Sequence, residues 1–132
     1  MSVECIFCKI VSGDISSHKI FENEHSMAFL DIYPLTEGMT LVIPKNHIAN
    51  WWDMGEADIS ALIADARRVA LILKRKFPEK RIGIQVEGLD VPHVHIKLLP
   101  FETAAEFRSW PDHTVEPNHD QLAGLVKSLT TE

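Results

Sequence analysis

Val91-Pro-His-Val-His-Ile-Lys-Leu-Leu99 is the stretch that says most about this chain. Side chains of an extended strand alternate between its two faces. A strand over residues 92–99 therefore places His93, His95 and Lys97 on one face and Val94, Ile96 and Leu98 on the other, which suits a core. Two imidazoles and an ammonium in one row form a site for anion chemistry. Imidazole serves as nucleophile or general base near neutral pH, and lysine supplies fixed positive charge. A solvated polar strand face is the alternative that these residues alone leave open.

The sequence on either side reads as mixed structure. Residues 19–22, 26–32 and 40–43 are short apolar or β-branched runs set off by Asn23-Glu24, Tyr33-Pro34, Glu37-Gly38 and Pro44, as strands and turns should be. Asp53 and Glu56 have the spacing of a capping box. Beyond them Ile59, Leu62, Ile63, Ala66, Val69, Ala70 and Leu73 recur at helical spacing, with Asp65, Arg67, Arg68 and Lys74 on the other face. Pro78 ends that helix. Residues 81–87 form a further strand, turned at Gly88 into the 92–99 strand, and residues 103–109 and 120–129 are shorter helical stretches. A strand-rich start, one long helix and more strands predict an α+β domain with an antiparallel sheet.

Composition sets the outer bounds. The 132 residues fit one domain with a real core, and no repeat or linker divides them. The formal net charge of −6 argues against a basic face for nucleic acid, while a pocket of opposite local field can still take a small anion. The apolar run 69–73 is far short of a bilayer span, so no membrane partner is expected. The opening MSVECIFCKI lacks a basic leader, and two cysteines make no disulfide framework, which together predict a reducing, cytoplasmic setting.

Several separated motifs then agree with one another. Cys5-Ile-Phe-Cys-Lys-Ile10, Phe21-Glu-Asn23, Asp31-Ile-Tyr-Pro34, Gly38-Met-Thr-Leu-Val-Ile-Pro-Lys-Asn-His47, the long helix and Pro92-His-Val-His95 resemble, in that order, the histidine triad (HIT) family. The resemblance runs over about residues 4–100, within a single HIT-like domain of residues 1–132 whose tail, 101–132, is less similar. It implies a HIT-like fold: an antiparallel sheet with one long helix and short terminal helices. It also implies a nucleotide hydrolase or transferase acting at the α-phosphate of a purine nucleotide conjugate, either a phosphoramidate or a dinucleoside polyphosphate. In that family the residue matching His95 is the nucleophile, forming a covalent nucleotidyl-imidazole. Asp31 matches the acid that grips the ribose hydroxyls, with Phe29 and Ile32 in the base pocket. Gln85 and Lys97 fall near the phosphate. Members typically pair as homodimers, and no cofactor enters the covalent step.

The chain departs from the family pattern in two places. Lys97 stands where the third histidine would be, and Gly88-Leu89-Asp90 replaces the usual Gly-Gln and small hydroxyl residue. Lys97 keeps a cation but not imidazole's tautomers, and an inward Asp90 would repel phosphate. A zinc-stabilised nucleotide-binding or regulatory module with little turnover is therefore the competing reading. A catalytic zinc on His93 and His95 is a third, weakened by the lack of acidic ligands at suitable spacing.

Cys5-x-x-Cys8 has metal-ligand spacing, and His47 and His93 complete a four-donor set like that of some bacterial-type family members. Four protein ligands would make the zinc structural. Two reduced, unliganded cysteines are the plainer possibility, and a thioredoxin-like motif is disfavoured because no strand could lead into it. Trp51 and Trp52 are expected to pack under the helix, with a pocket or partner surface as the other use. His18, His25, His113 and His119 are expected at the surface.

Overall fold

The computed structural model describes residues 5–88 and 90–131. Leu89, one of the departures noted above, lies outside the described residues. In chain order the elements are α1 (Ile6–Ser12), β1 (Lys19–Glu22), β2 (Ser26–Leu30), β3 (Thr40–Pro44), α2 (Glu56–Lys76), β4 (Arg81–Gln85), β5 (Ile96–Phe101), α3 (Ala104–Phe107) and α4 (His119–Thr130). The strands form one antiparallel sheet in the order β1-β2-β3-β5-β4. This is the α+β architecture with one long helix that the sequence predicts.

Strand alternation divides the interior in two. Ala28, Leu30, Val42, Ile96 and Leu98 point to one face, where Leu62, Ala66, Val69 and Leu73 of α2 and Leu122, Leu125 and Leu129 of α4 close over them. Met27, Phe29, Leu41 and Ile43 point to the other, where α1 lays Phe7 and Ile10 against them. Each face removes apolar surface from water, worth about 25 cal/mol for every Å² buried. Gly83 in β4 has a specific reason to lack a side chain: a Cβ there would meet the Phe107 ring of α3 at 2.1 Å. The tail after β5 can therefore fold down onto the sheet.

Several expectations change. The helix α1 is absent from the sequence reading, which took the first third as strands. Cys5 is its N-cap, with Sγ accepting from the Cys8 amide at 3.4 Å, and Gly13 ends it in the left-handed region at φ 89°. The Asp53–Glu56 capping box does not form. Residues Trp51–Asp53 make a 3-10 turn, and Gly55, with no side-chain hydrogen bond, caps α2 instead. The capping box of this fold is Thr103–Glu106, at the start of α3.

Another change concerns residues 92–95, which leave the ladder before β5 begins at Ile96. There the Val94 amide donates to the Ile48 carbonyl at 2.8 Å and the His93 amide to the Val91 carbonyl at 2.8 Å. The alternation of faces survives, with Val94 in the α2 core.

Asp65 also moves, from the expected outer face of α2 to the interior, with only 2% of its surface exposed. Its Oδ1 accepts from Asn23 Nδ2 at 2.9 Å and from Arg68 Nη1 at 2.7 Å. Asn23 in turn accepts the His25 and Ser26 amides, so one buried carboxylate ties the helix to the β1–β2 turn. Burial alone would raise the Asp65 carboxyl, but donors from Ser26, Asn23 and Arg68 hold it below the usual carboxylate range. A depressed carboxyl stabilises the fold above its unfolded-state value, and that contribution fades as pH falls through the folded value. Asp65→Asn is expected to cost about 1–3 kcal/mol at neutral pH, read from denaturant melts, and the gap to the native protein should narrow below the carboxylate range.

Candidate functional site

The site lies on the sheet face that α1 covers, where residues 91–97 cross from loop into β5. His93 is fully buried and held at both ring nitrogens. A carbonyl oxygen only accepts, so the 2.9 Å contact to Pro44 O assigns the proton to Nε2. Nδ1 then carries the lone pair. It lies 3.3 Å from Cys5 Sγ, 3.6 Å from Cys8 Sγ and 3.2 Å from His47 Nδ1, and Cys8 Sγ is 3.3 Å from His47 Nδ1. One donor atom from each of Cys5, Cys8, His47 and His93 falls within 4.8 Å of all the others. A tetrahedron with metal–sulfur bonds of about 2.3 Å and metal–nitrogen bonds of about 2.05 Å has edges of about 3.3–3.8 Å. The four side chains fit a metal ion, and the Pro44 carbonyl supplies the outer hydrogen bond that fixes a ligating imidazole.

The same reasoning settles the next histidine. His95 Nδ1 is 2.8 Å from the His93 carbonyl, so it donates there and Nε2 keeps the lone pair. Burial, the largest influence, holds His95 below the usual imidazole range, and the Lys97 ammonium pushes the same way. Phe7 of α1 stands edge-on to both rings, with centroids 5.8 Å from His93 and 5.1 Å from His95. The result is a neutral imidazole with one nitrogen committed to the backbone and one available for chemistry.

Lys97 and Gln85 are neighbours, being paired across β5 and β4. Lys97 is buried, and its Nζ meets Glu87 Oε1 at 3.0 Å. Gln85 donates from Nε2 to the Phe107 carbonyl at 3.1 Å. Both line a cavity of about 390 Å³ that is also bordered by Glu87, Asp90, Trp110 and His113. Asp90 is exposed on that border.

Asp31 follows β2, and its Oδ1 accepts the Tyr33 amide at 2.8 Å. Burial raises its carboxyl, against the Tyr33 amide and the positive charge of Lys97. Phe29 is buried edge-on to Phe7 at 5.7 Å, whereas Ile32 is 36% exposed. The Lys97 ammonium thus acts on both Asp31 and His95, while Phe29 belongs to the core beneath them.

Three participants escaped the sequence reading. Phe7 was hidden because α1 was; its spacing to Ile10 and Val11 is the signal that could have found it. Glu87 carries no local signature as the partner of a lysine ten positions on. His113, expected at the surface, is exposed but stands edge-on to Tyr33 at 4.8 Å. His18 stacks on His119, with Nε2 and Nδ1 at 2.8 Å. Trp51 and Trp52 do not pack under α2: they are 50% and 66% exposed, because α2 fills that face with its own aliphatic side chains.

Comparison with known proteins identifies the family. The HIT domain family matches residues 12–104, and the chain belongs to that family. It is 38% identical over 134 residues to protein hit of Bacillus subtilis, covering 95% of this chain and 91% of that protein. It is 34% identical over 132 residues to the adenosine 5′-monophosphoramidase of Saccharomyces cerevisiae, covering 98% of this chain and 82% of that protein. Among solved structures, a Zn-bound histidine triad family protein from Mycobacterium smegmatis superposes with a TM-score of 0.80 at 27% identity, covering 98% of this chain and 95% of the other. Among the described residues no helix is long and apolar enough to cross a membrane.

A metal test follows from the four-donor geometry. Cobalt(II), an optical probe for thiolate ligation, should bind one ion per chain with a sulfur-to-metal absorption band. Both the band and the accompanying rise in melting temperature should disappear in Cys8→Ala.

Proposed function

We propose that this chain is a nucleotidyl hydrolase or transferase that attacks the α-phosphate of a purine nucleotide conjugate through His95. The observation that carries the reading is the hydrogen bond from His95 Nδ1 to the His93 carbonyl. It leaves Nε2 unprotonated on a ring that burial keeps neutral, which is the state a nucleophile needs. The names of the yeast relatives, adenosine 5′-monophosphoramidases, support the same chemistry.

In the first step Nε2 bonds to phosphorus as the bond to the leaving group breaks, and the leaving group departs with that electron pair and takes up a proton. In the second, water bonds to phosphorus, the P–N bond to His95 breaks, and a nucleoside monophosphate is released. Asp31 accepts both ribose hydroxyls through its carboxylate oxygens, with Ile32 on the base side and Phe29 in the core that backs it. Lys97 and Gln85 border the phosphate, and Lys97 offsets the charge that develops there.

The ion held by Cys5, Cys8, His47 and His93 is proposed to be zinc. When bound it supplies no reaction chemistry, because four protein ligands fill its tetrahedron. The ligands' own work is to pin the start of α1 to the sheet and to steady the His93 carbonyl that orients His95. A homodimer and a cytoplasmic setting complete the proposal. Among the described residues, β1 and β4 are the edge strands of the sheet.

One observation favours a second reading, a nucleotide-binding module with little turnover. The Lys97 ammonium is already matched by Glu87, so less positive charge is left for a phosphate. AMP release from adenosine 5′-phosphoramidate separates the two. The wild type should turn over, and His95→Ala should lose about a thousandfold or more. Tight AMP binding with equal, background release from both proteins would favour the binding module.

A further inference from the structure

A second cavity, of about 350 Å³, opens where the loop of residues 31–38 meets the segment leading into α4. Leu122 and Leu125 of α4 form its floor, and both belong to the core closed by α2. That core is on the opposite face of the sheet from Phe7, Phe29 and the two histidines of the site. A thin wall separates this cavity from the one beside Lys97. Leu35 borders both, and Tyr33 on this side meets His113 on the other, edge-on at 4.8 Å. Asp112, next to His113 in the chain, turns to this side.

The lining sorts into an apolar floor and an acidic rim. Leu35, Val115, Leu122 and Leu125 supply the first, and the exposed carboxylates of Glu37, Asp112 and Glu116 the second. No lysine, arginine or histidine is among the described residues that line it. Asp112 accepts from the Thr114 amide at 3.0 Å and the Thr114 hydroxyl at 2.6 Å, and these bonds hold its carboxyl below the usual carboxylate range. Thr36 stands in the same wall, only 8% exposed, and its Oγ1 has no hydrogen-bond partner among the described residues. Its neighbour Thr40 shows the ordinary arrangement, donating to the Gly38 carbonyl at 2.8 Å. A buried hydroxyl left unpaired costs free energy. A cavity of this size, mostly apolar with a few converging polar groups, is the usual form of a small-molecule site.

We propose that this cavity is a second ligand site, built for a primary ammonium ion that carries a short apolar chain. The chain lies on Val115, Leu122 and Leu125, where it leaves water. The ammonium has three donors and no acceptor, so it matches a rim of carboxylates, and it gives the Thr36 hydroxyl the partner it lacks. Three carboxylates of one sign repel an anion, which sets this site apart from the nucleotide site across the wall. The inference does not depend on attack by His95.

The experiment titrates the full chain with n-hexylammonium, 1-hexanol and hexanoate, which share a chain and differ in the head, and follows methyl resonances by NMR. Hexylammonium should saturate and move the methyls of Val115, Leu122 and Leu125. It should bind roughly tenfold or more tighter than hexanol, the scale of a charge-assisted hydrogen bond, and hexanoate should bind more weakly than either. The double variant Glu37→Gln, Glu116→Gln should bring hexylammonium close to hexanol. Its affinity for hexanol should stay as in the wild type, which shows that the cavity is still formed. Hexanol binding as tightly as hexylammonium to the wild type, or an undiminished preference in the double variant, would overturn the site. So would shifts centred on Ile10 and Ile43 on the α1 side, or shifts that grow without saturating.

Discussion

His93 holds the structure together at one point. Its Nε2 donates a hydrogen bond to the carbonyl that ends β3, its Nδ1 lies among three other metal-ligating atoms, and its backbone oxygen accepts one from His95. Each bond constrains a different part of the molecule: the strand end, the start of α1 and the neighbouring imidazole. The residue is buried, so an unmatched polar atom here would cost free energy. Residues 92–95 leave the sheet to satisfy these partners, and the local loss of ladder bonds is met by Ile48 and Val91. The tautomer of His95 is therefore a consequence of the fold rather than of the reaction site alone.

Much of this was legible in the chain. Alternation around His93, His95 and Lys97 placed those residues opposite Val94, Ile96 and Leu98, and the two-sided core bears this out. The long helix followed from its periodicity, although Asp65 was assigned to the wrong face. A carboxylate at helical spacing looks solvent-facing until Asn23, forty-two positions away, is seen to meet it. The four metal donors were foreseen as a set from Cys-x-x-Cys spacing and family resemblance, and their side chains do converge. The first helix was missed because seven residues capped by a cysteine carry little periodic signal. Pairings between distant positions, such as Glu87 with Lys97, have no local trace at all.

Lys97 illustrates how a substitution is absorbed. An ammonium buried beside a histidine would be costly alone, and the carboxylate of Glu87 at 3.0 Å offsets much of that cost. The pair keeps the wall of the site nearly neutral, so charge reaching the phosphate comes from a shared rather than an isolated cation. The sheet accommodates the change because β4 and β5 run side by side, with Gln85 already opposite Lys97.

The distance along the chain between Cys5 and His93, 88 positions, bears on the order in which the molecule comes together. Closing so long a loop costs entropy before any contact repays it, and non-local contacts of this kind slow folding. During synthesis the amino-terminal cysteines and His47 emerge well before the last ligand. The complete four-donor cage exists only once β5 has joined β3. A metal ion that needs all four donors would be captured late in maturation, once the sheet has assembled.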